Sequence, residues 1–152
     1  MVREKALAAI QEELKSLPIE EWSTDPLRGL SVAVDIRTKK PLAKVYIALI
    51  PTDDWTTIPA HLHWGGWNDC PPAEYHVAAL RSWRERYGAE LVGLSFDTMN
   101  VKVKCRPQTP EEALELVREH YTYCSDIVAQ GPGFCGLAAC LIADPWWYFW
   151  WD

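Results

Sequence analysis

Residues 90–105 read Glu90-Leu91-Val92-Gly93-Leu94-Ser95-Phe96-Asp97-Thr98-Met99-Asn100-Val101-Lys102-Val103-Lys104-Cys105. In the second half of this stretch Val101, Val103 and Cys105 alternate with Asn100, Lys102 and Lys104. Alternation with a period of two marks a strand with one apolar and one wet face. Strands of a parallel sheet are covered on both faces, so this pattern favours an antiparallel sheet. Glu90 to Phe96 supplies the partner strand and Asp97-Thr98 the turn, which makes the stretch a hairpin.

Helices flank that hairpin on both sides. Upstream, Ala73 to Tyr87 carries Val77, Leu80, Trp83 and Tyr87 as an apolar stripe, with Pro72 suited to its first turn and Gly88 to the position past its end. Downstream, Thr109-Pro110-Glu111-Glu112 places an N-cap Thr, a Pro in the first turn and a Glu three residues on. That is a capping box, which predicts a third helix whose apolar side runs through Ala113, Leu116 or Val117, His120 or Tyr121, and Cys124. After the breaker run Gly131-Pro132-Gly133, a short helix is expected from Phe134 to Ile142. The aromatic run Trp146-Trp147-Tyr148-Phe149-Trp150-Trp151 is expected to form a final strand.

Further upstream, Val2 to Leu17 carries Leu7, Ile10, Leu14 and Leu17 at helical spacing, and Pro18 stops it. Leu30 to Arg37 and Leu42 to Ile50 both alternate, and the short link between them predicts a first hairpin. Pro51 to Pro72 is a long connection that holds Trp55, Trp64 and Trp67. Long loops of this kind are often functional or tightly packed on themselves. The resulting order is α-β-β-α-β-β-α-α-β. It predicts a single α+β domain over residues 1–152, with one mostly antiparallel sheet of about five strands and helices packed against it.

Composition narrows the function classes. The chain has 152 residues, 49% of them hydrophobic, and a net charge of −6. This is globular usage, and the acidic balance disfavours nucleic acid and anionic membranes as partners while suiting a basic protein. The first seventeen residues are charged throughout, unlike a signal peptide, and no apolar run is long enough to span a bilayer. Five cysteines without a regular framework fit a reducing, cytoplasmic setting. Nine Trp against three Phe is a surplus suited to cores, interfaces and stacking sites.

No chemical constellation emerges strongly. His61, His63 and Cys70 could ligate zinc, but their spacing matches no standard site, and no metal or cofactor is expected. His120 and Cys124 share a helical face, which could activate a thiol. Cys on an apolar stripe is more often a small buried hydrophobe. Glu111 and Glu112 suit the helix dipole without catalysis. No phosphate loop, dinucleotide fingerprint or nucleophile elbow is present, so no catalytic residue is assigned. In the terminal strand, Trp147, Phe149 and Trp151 should face the core. Trp146, Tyr148 and Trp150 then face the other way, and covering by the Trp-rich loop is expected there.

Several blocks resemble a known family. Asn68-Asp69-Cys70-Pro71, the run from Trp83 to Val92, Phe96-Asp97-Thr98, the stretch Glu119 to Gly131 and the terminal Trp150-Trp151-Asp152 are similar, in this order, to the bacterial domain-of-unknown-function family 4253. The resemblance covers residues 65–152, with Ser125 standing where the family usually has Pro. It implies a bacterial origin and a cytoplasmic address but no established activity. Small, acidic, Trp-rich proteins of this type also look like immunity proteins of bacterial toxin systems. The expected function is therefore a non-enzymatic protein-binding domain that neutralises a basic toxin. The alternative is an enzyme or small-ligand binder whose site joins the 51–72 loop to His120, Asp126 and Gln130. The candidate binding residues are Trp55, Trp64, Trp67 and Asp69 from the loop, with His120, Asp126, Gln130 and Trp150.

Overall fold

The computed structural model describes residues 22–26, 29, 35, 37, 38, 40–42, 44 and 46–152. The helix expected over 2–17 lies outside them, as does most of the strand expected over 30–37. The link between the first two expected strands does turn: the Asp35 N–H donates to the Lys40 carbonyl at 2.9 Å. The Asp35 carboxylate accepts from the amides of Arg37 and Thr38.

Residues 46–50 correct the expected second strand, because they adopt no strand. Tyr46, Ile47 and Leu49 are more than 90% exposed. Alternation becomes a strand only when a neighbouring edge accepts its hydrogen bonds and a core takes its apolar face. These residues have neither among the described ones.

The long connection is more ordered than a loop. Asp54 accepts from the Thr56 amide at 3.2 Å and the Thr56 hydroxyl at 2.6 Å, which starts a 3-10 turn at Trp55–Thr57. Helix α1, Ile58–His61, follows directly. Arg81 and Arg84 reach back to the Asp54 carboxylate, at 3.0 and 2.8 Å, and pin the segment to the next helix.

That helix is α2, Ala73–Tyr87, with the bounds the sequence predicts. Gly88 ends it at φ +60°, where its N–H donates to the Arg84 carbonyl and the Ala89 N–H to that of Trp83. Strands β1, Glu90–Leu94, and β2, Thr98–Lys102, form the expected hairpin, with a bulge between Leu91 and Gly93. Helix α3, Pro110–Tyr123, starts on its Thr109 cap; the Glu112 carboxylate accepts from the Gln108 amide, one residue earlier than the capping box requires. Helix α4, Asp126–Ala129, is a short addition to the expected order. Helix α5, Gly133–Ala143, and strand β3, Trp146–Trp150, complete the chain.

The fold is α+β with one antiparallel sheet in the order β1-β2-β3. Three strands, not about five, are present among the described residues, since the first expected hairpin contributes none. The core lies between the sheet and helices α2 and α3. Trp83 stacks on Phe149 at 5.1 Å with their rings nearly parallel, and Leu80, Met99, Val101 and Leu116 fill in around them. Among the described residues no helix is long and apolar enough to cross a membrane.

Candidate functional site

Helix α3 delivers His120 to the core side of the sheet, because Ala113, Leu116, Val117 and His120 recur on its buried face. The period-two alternation of β3 brings Trp147 to the same side, with Phe149 next along. The His120 and Trp147 rings meet edge to face, centroids 4.7 Å apart. Both ends of this contact carry an orphan: His120 Nε2 and Trp147 Nε1 are buried and meet no hydrogen-bond partner among the described residues. An unmet buried polar group costs about 1–3 kcal/mol, so native folds rarely keep one without a use.

Both residues line a cavity of about 440 Å³. Helix α4 and the turn after it contribute Asp126, Ile127 and Gln130, helix α5 contributes Leu137, Cys140 and Leu141, and β3 contributes Trp146, Tyr148 and Trp150. Volumes of roughly 300–1,000 Å³, mostly apolar walls and a few placed polar groups are typical of small-ligand sites. The Asp126 carboxylate is held in place, accepting from the Asp152 amide at 3.1 Å and the Gln130 side-chain amide at 3.3 Å. At the rim, the Gly29 amide donates to Asp144, whose other carboxylate oxygen accepts from the Trp146 amide and so fixes the start of β3.

The cavity is electrostatically quiet. Burial pushes the His120 imidazole down to about 3, with a smaller push from the Arg86 charge, so the ring is neutral at ordinary pH. Among the described lining residues Asp126 is the one carboxylate, and no Lys or Arg is present.

Four of the eight sequence candidates meet here: His120, Asp126, Gln130 and Trp150. Trp55, Trp64, Trp67 and Asp69 do not, so the expected union of the 51–72 loop with this site is corrected. The loop packs at the other end of the core. The Trp64 indole donates to the Ser95 carbonyl at 2.7 Å, and its ring abuts His76 and Trp151. Trp67 stacks on Phe96, Trp55 lies under the Arg84 guanidinium, and Asp69 is exposed. The expected covering of the outer face of β3 by this loop is corrected with it. Trp150 is instead tied to Asp97 by its indole N–H, Trp146 lies against the Lys102 ammonium, and Tyr148 is 40% exposed.

In the sequence, Trp147 is legible only as a core residue. Its place beside the cavity depends on how the later helices pack against β3, and alternation does not report that.

A second polar group is built around the loop. Cys70 Sγ lies 3.6 Å from His76 Nε2, and His76 Nδ1 hydrogen-bonds the Tyr123 hydroxyl, which donates to Met99 Sδ at 3.7 Å. Burial pushes the thiol up to about 11, the imidazole down to about 4 and the phenol well above its ordinary value. All three are therefore neutral, and no thiolate forms. Cys124 is also buried, donates to the Trp150 carbonyl at 3.0 Å and is pushed up to about 12 by burial. It does not pair with His120. His61 and His63 sit exposed, apart from Cys70, and no cluster of three metal-binding side chains occurs among the described residues.

No curated protein and no solved structure matches the chain. Over residues 46–152, the greater part of its length, the chain matches the family described as Domain of unknown function (DUF4253), and it belongs to that family.

Proposed function

We propose that this protein is a non-enzymatic binding domain that takes a small ligand into the cavity between β3 and helices α4 and α5. The observation that carries the reading is the cavity itself, about 440 Å³ in volume and lined mostly by apolar residues, with Asp126 and Gln130 as placed polar groups. A general acid or base works best with a pKa near the working pH, and His120 is tuned far below it. The raised thiols of Cys70 and Cys124 are equally unsuited to nucleophilic work. These shifts support binding over catalysis at these residues. The test is a fragment screen by two-dimensional NMR on ¹⁵N-labelled protein. Binders should converge on the signals of lining residues such as Gln130, Leu137 and Trp150; hits that scatter over the surface and avoid them would sink the reading.

A second reading is favoured by one surface feature. Phe96, at the tip of the β1–β2 hairpin, is 85% exposed and stacked on Trp67 at 5.8 Å. Exposed aromatic anchors on an acidic molecule suit a basic protein partner, and we infer from this an immunity role towards a toxin in the cytoplasm. Co-expression with a toxin encoded by a neighbouring gene, where the genome carries one, should protect cells, and Phe96→Ser should abolish protection. Protection that survives Phe96→Ser, or none at all, would count against this role.

A further inference from the structure

Four oxidisable rings form an unbroken file from the surface into the core. Trp67 is half-buried beside the exposed Phe96 and meets Trp64 edge to face at 5.1 Å. Trp64 meets Trp151 at 5.6 Å, and Trp151 meets Tyr123 at 5.4 Å. Rings in van der Waals contact exchange an electron readily, and indole and phenol lose one more easily than any side chain except a thiol. Packing alone accounts for the rings being together. It does not account for what stands at the inner end of the file.

There the Tyr123 hydroxyl sits between His76 Nδ1 and Met99 Sδ, against two residues with no exposed surface. The other imidazole nitrogen, Nε2, lies against the Pro71 carbonyl and the Cys70 sulfur. A carbonyl oxygen only accepts, so Nε2 carries the imidazole proton and Nδ1 is left as an acceptor. An imidazole nitrogen accepts far more strongly than a thioether, so the phenol proton, shared between the two, leans towards Nδ1. Burial holds the imidazole down to about 4, which leaves the Nδ1 lone pair free at neutral pH. A phenol that loses an electron becomes a strong acid and must shed its proton. Against fully buried neighbours, the base that takes it has to be in hydrogen-bond contact beforehand, and His76 is.

We propose that Tyr123 and His76 form a one-electron sink, in which a radical oxidant at the surface, of the peroxyl or oxidised metal-complex class, draws an electron from Tyr123 through Trp151, Trp64 and Trp67. The Tyr123 O–H bond breaks as the electron leaves, its proton bonds to His76 Nδ1, and the oxidant is reduced by one electron. The products are a neutral tyrosyl radical and an imidazolium. A small thiolate restores the resting state: it returns one electron by the same file and becomes a thiyl radical, while Nδ1 gives the proton back to the phenol oxygen.

Photogenerated tris(bipyridine)ruthenium(III), too bulky to enter the core, serves as the oxidant, and electron paramagnetic resonance of freeze-quenched samples as the readout. The unaltered protein should give a tyrosyl signal that lives at least tenfold longer than that of N-acetyl-tyrosinamide, and Tyr123→Phe should lose this long-lived component. Trp64→Phe, which puts a ring that is hard to oxidise in the middle of the file, should lower its yield at least threefold. At fixed pH the rate at which the signal forms should not depend on the concentration of buffer base, because His76 takes the proton. That measurement needs only the unaltered protein, and so decides the matter if either variant folds poorly. The proposal is overturned by the absence of a long-lived tyrosyl signal, by one that survives in Tyr123→Phe, by an undiminished yield in Trp64→Phe, or by a formation rate that rises with buffer base.

Discussion

Gly65 sits at φ +105°, and a Cβ there would lie 2.3 Å from the Pro71 carbonyl oxygen and 2.6 Å from His76 Nε2. The loop turns so tightly over His76 that a side chain has no room. Gly65→Ala should therefore destabilise the protein by more than about 1 kcal/mol, through steric clash and a backbone that L-residues avoid. Gly66→Ala is the control, since Gly66 is at φ +82° with nothing within 4 Å of its Cβ position. Thermal unfolding should show the Gly65 variant melting clearly below the Gly66 variant, and equal melting temperatures would refute the close packing. At this scale the sequence is only half legible. The turn-prone pair Gly65-Gly66 can be read from it, but the buried partner cannot. On helix α2 the apolar stripe read from the sequence runs through Val77, yet Val77 is only half-buried and its neighbour His76 has no exposed surface. A buried imidazole is acceptable only because Cys70 and Tyr123 wait for its two nitrogens, and those residues lie six and forty-seven positions away.

Strand β3 owes its two faces to alternation alone. Six successive aromatics must divide between opposite sides, and they do: Trp147, Phe149 and Trp151 are at most 2% exposed, while Tyr148 is 40% exposed. Phe149→Ala should cost about 3–5 kcal/mol, because it opens a void under Trp83, Tyr123 and Trp151. For a domain of this size that corresponds to a melting temperature lower by roughly 6–20 °C. Tyr148→Ala, one residue away, should cost less than half as much. Similar losses in the two variants would mean that the register of β3 is wrong. Helix α2 and the β1–β2 hairpin are equally legible in the sequence, because Pro72, Gly88 and strict alternation are local signals. The expected strand over residues 42–50 has the same alternation and does not form in its described part. What separates the cases is a neighbour: β2 has β1 and β3 on its two edges, and residues 46–50 have no such partner among the described ones. The cavity is less legible still. It arises where α3, α4, α5 and β3 converge, and no local pattern encodes that convergence.

The whole molecule is organised around one aromatic cluster with an imidazole buried at each end. His76 packs against Trp64, Tyr123 and Trp151, and His120 against Trp83, Trp147 and Phe149; Tyr123 touches Trp83, Phe149 and Trp151 and so joins the two groups. Burial holds His76 down to about 4 and His120 down to about 3. In the unfolded chain an imidazole titrates near its ordinary value of about 6.5. Between that value and the folded ones, the unfolded state binds protons that the native state refuses. Stability must then rise with pH across the window, be essentially complete above it, and fall as the pH drops through it. Each imidazole contributes a slope approaching about 1.4 kcal/mol per pH unit, so moving from pH 6.5 to pH 5 should remove on the order of 3 kcal/mol in all. Domains of this kind are stable by only about 5–15 kcal/mol. Denaturant unfolding at pH 8, 6.5 and 5 should give similar stabilities at the first two and a marked loss at the third, before most carboxylates begin to titrate. His120→Gln should lose roughly half of that pH dependence, whatever it does to stability itself. If stability stayed flat from pH 8 to pH 5, neither imidazole could be buried as described.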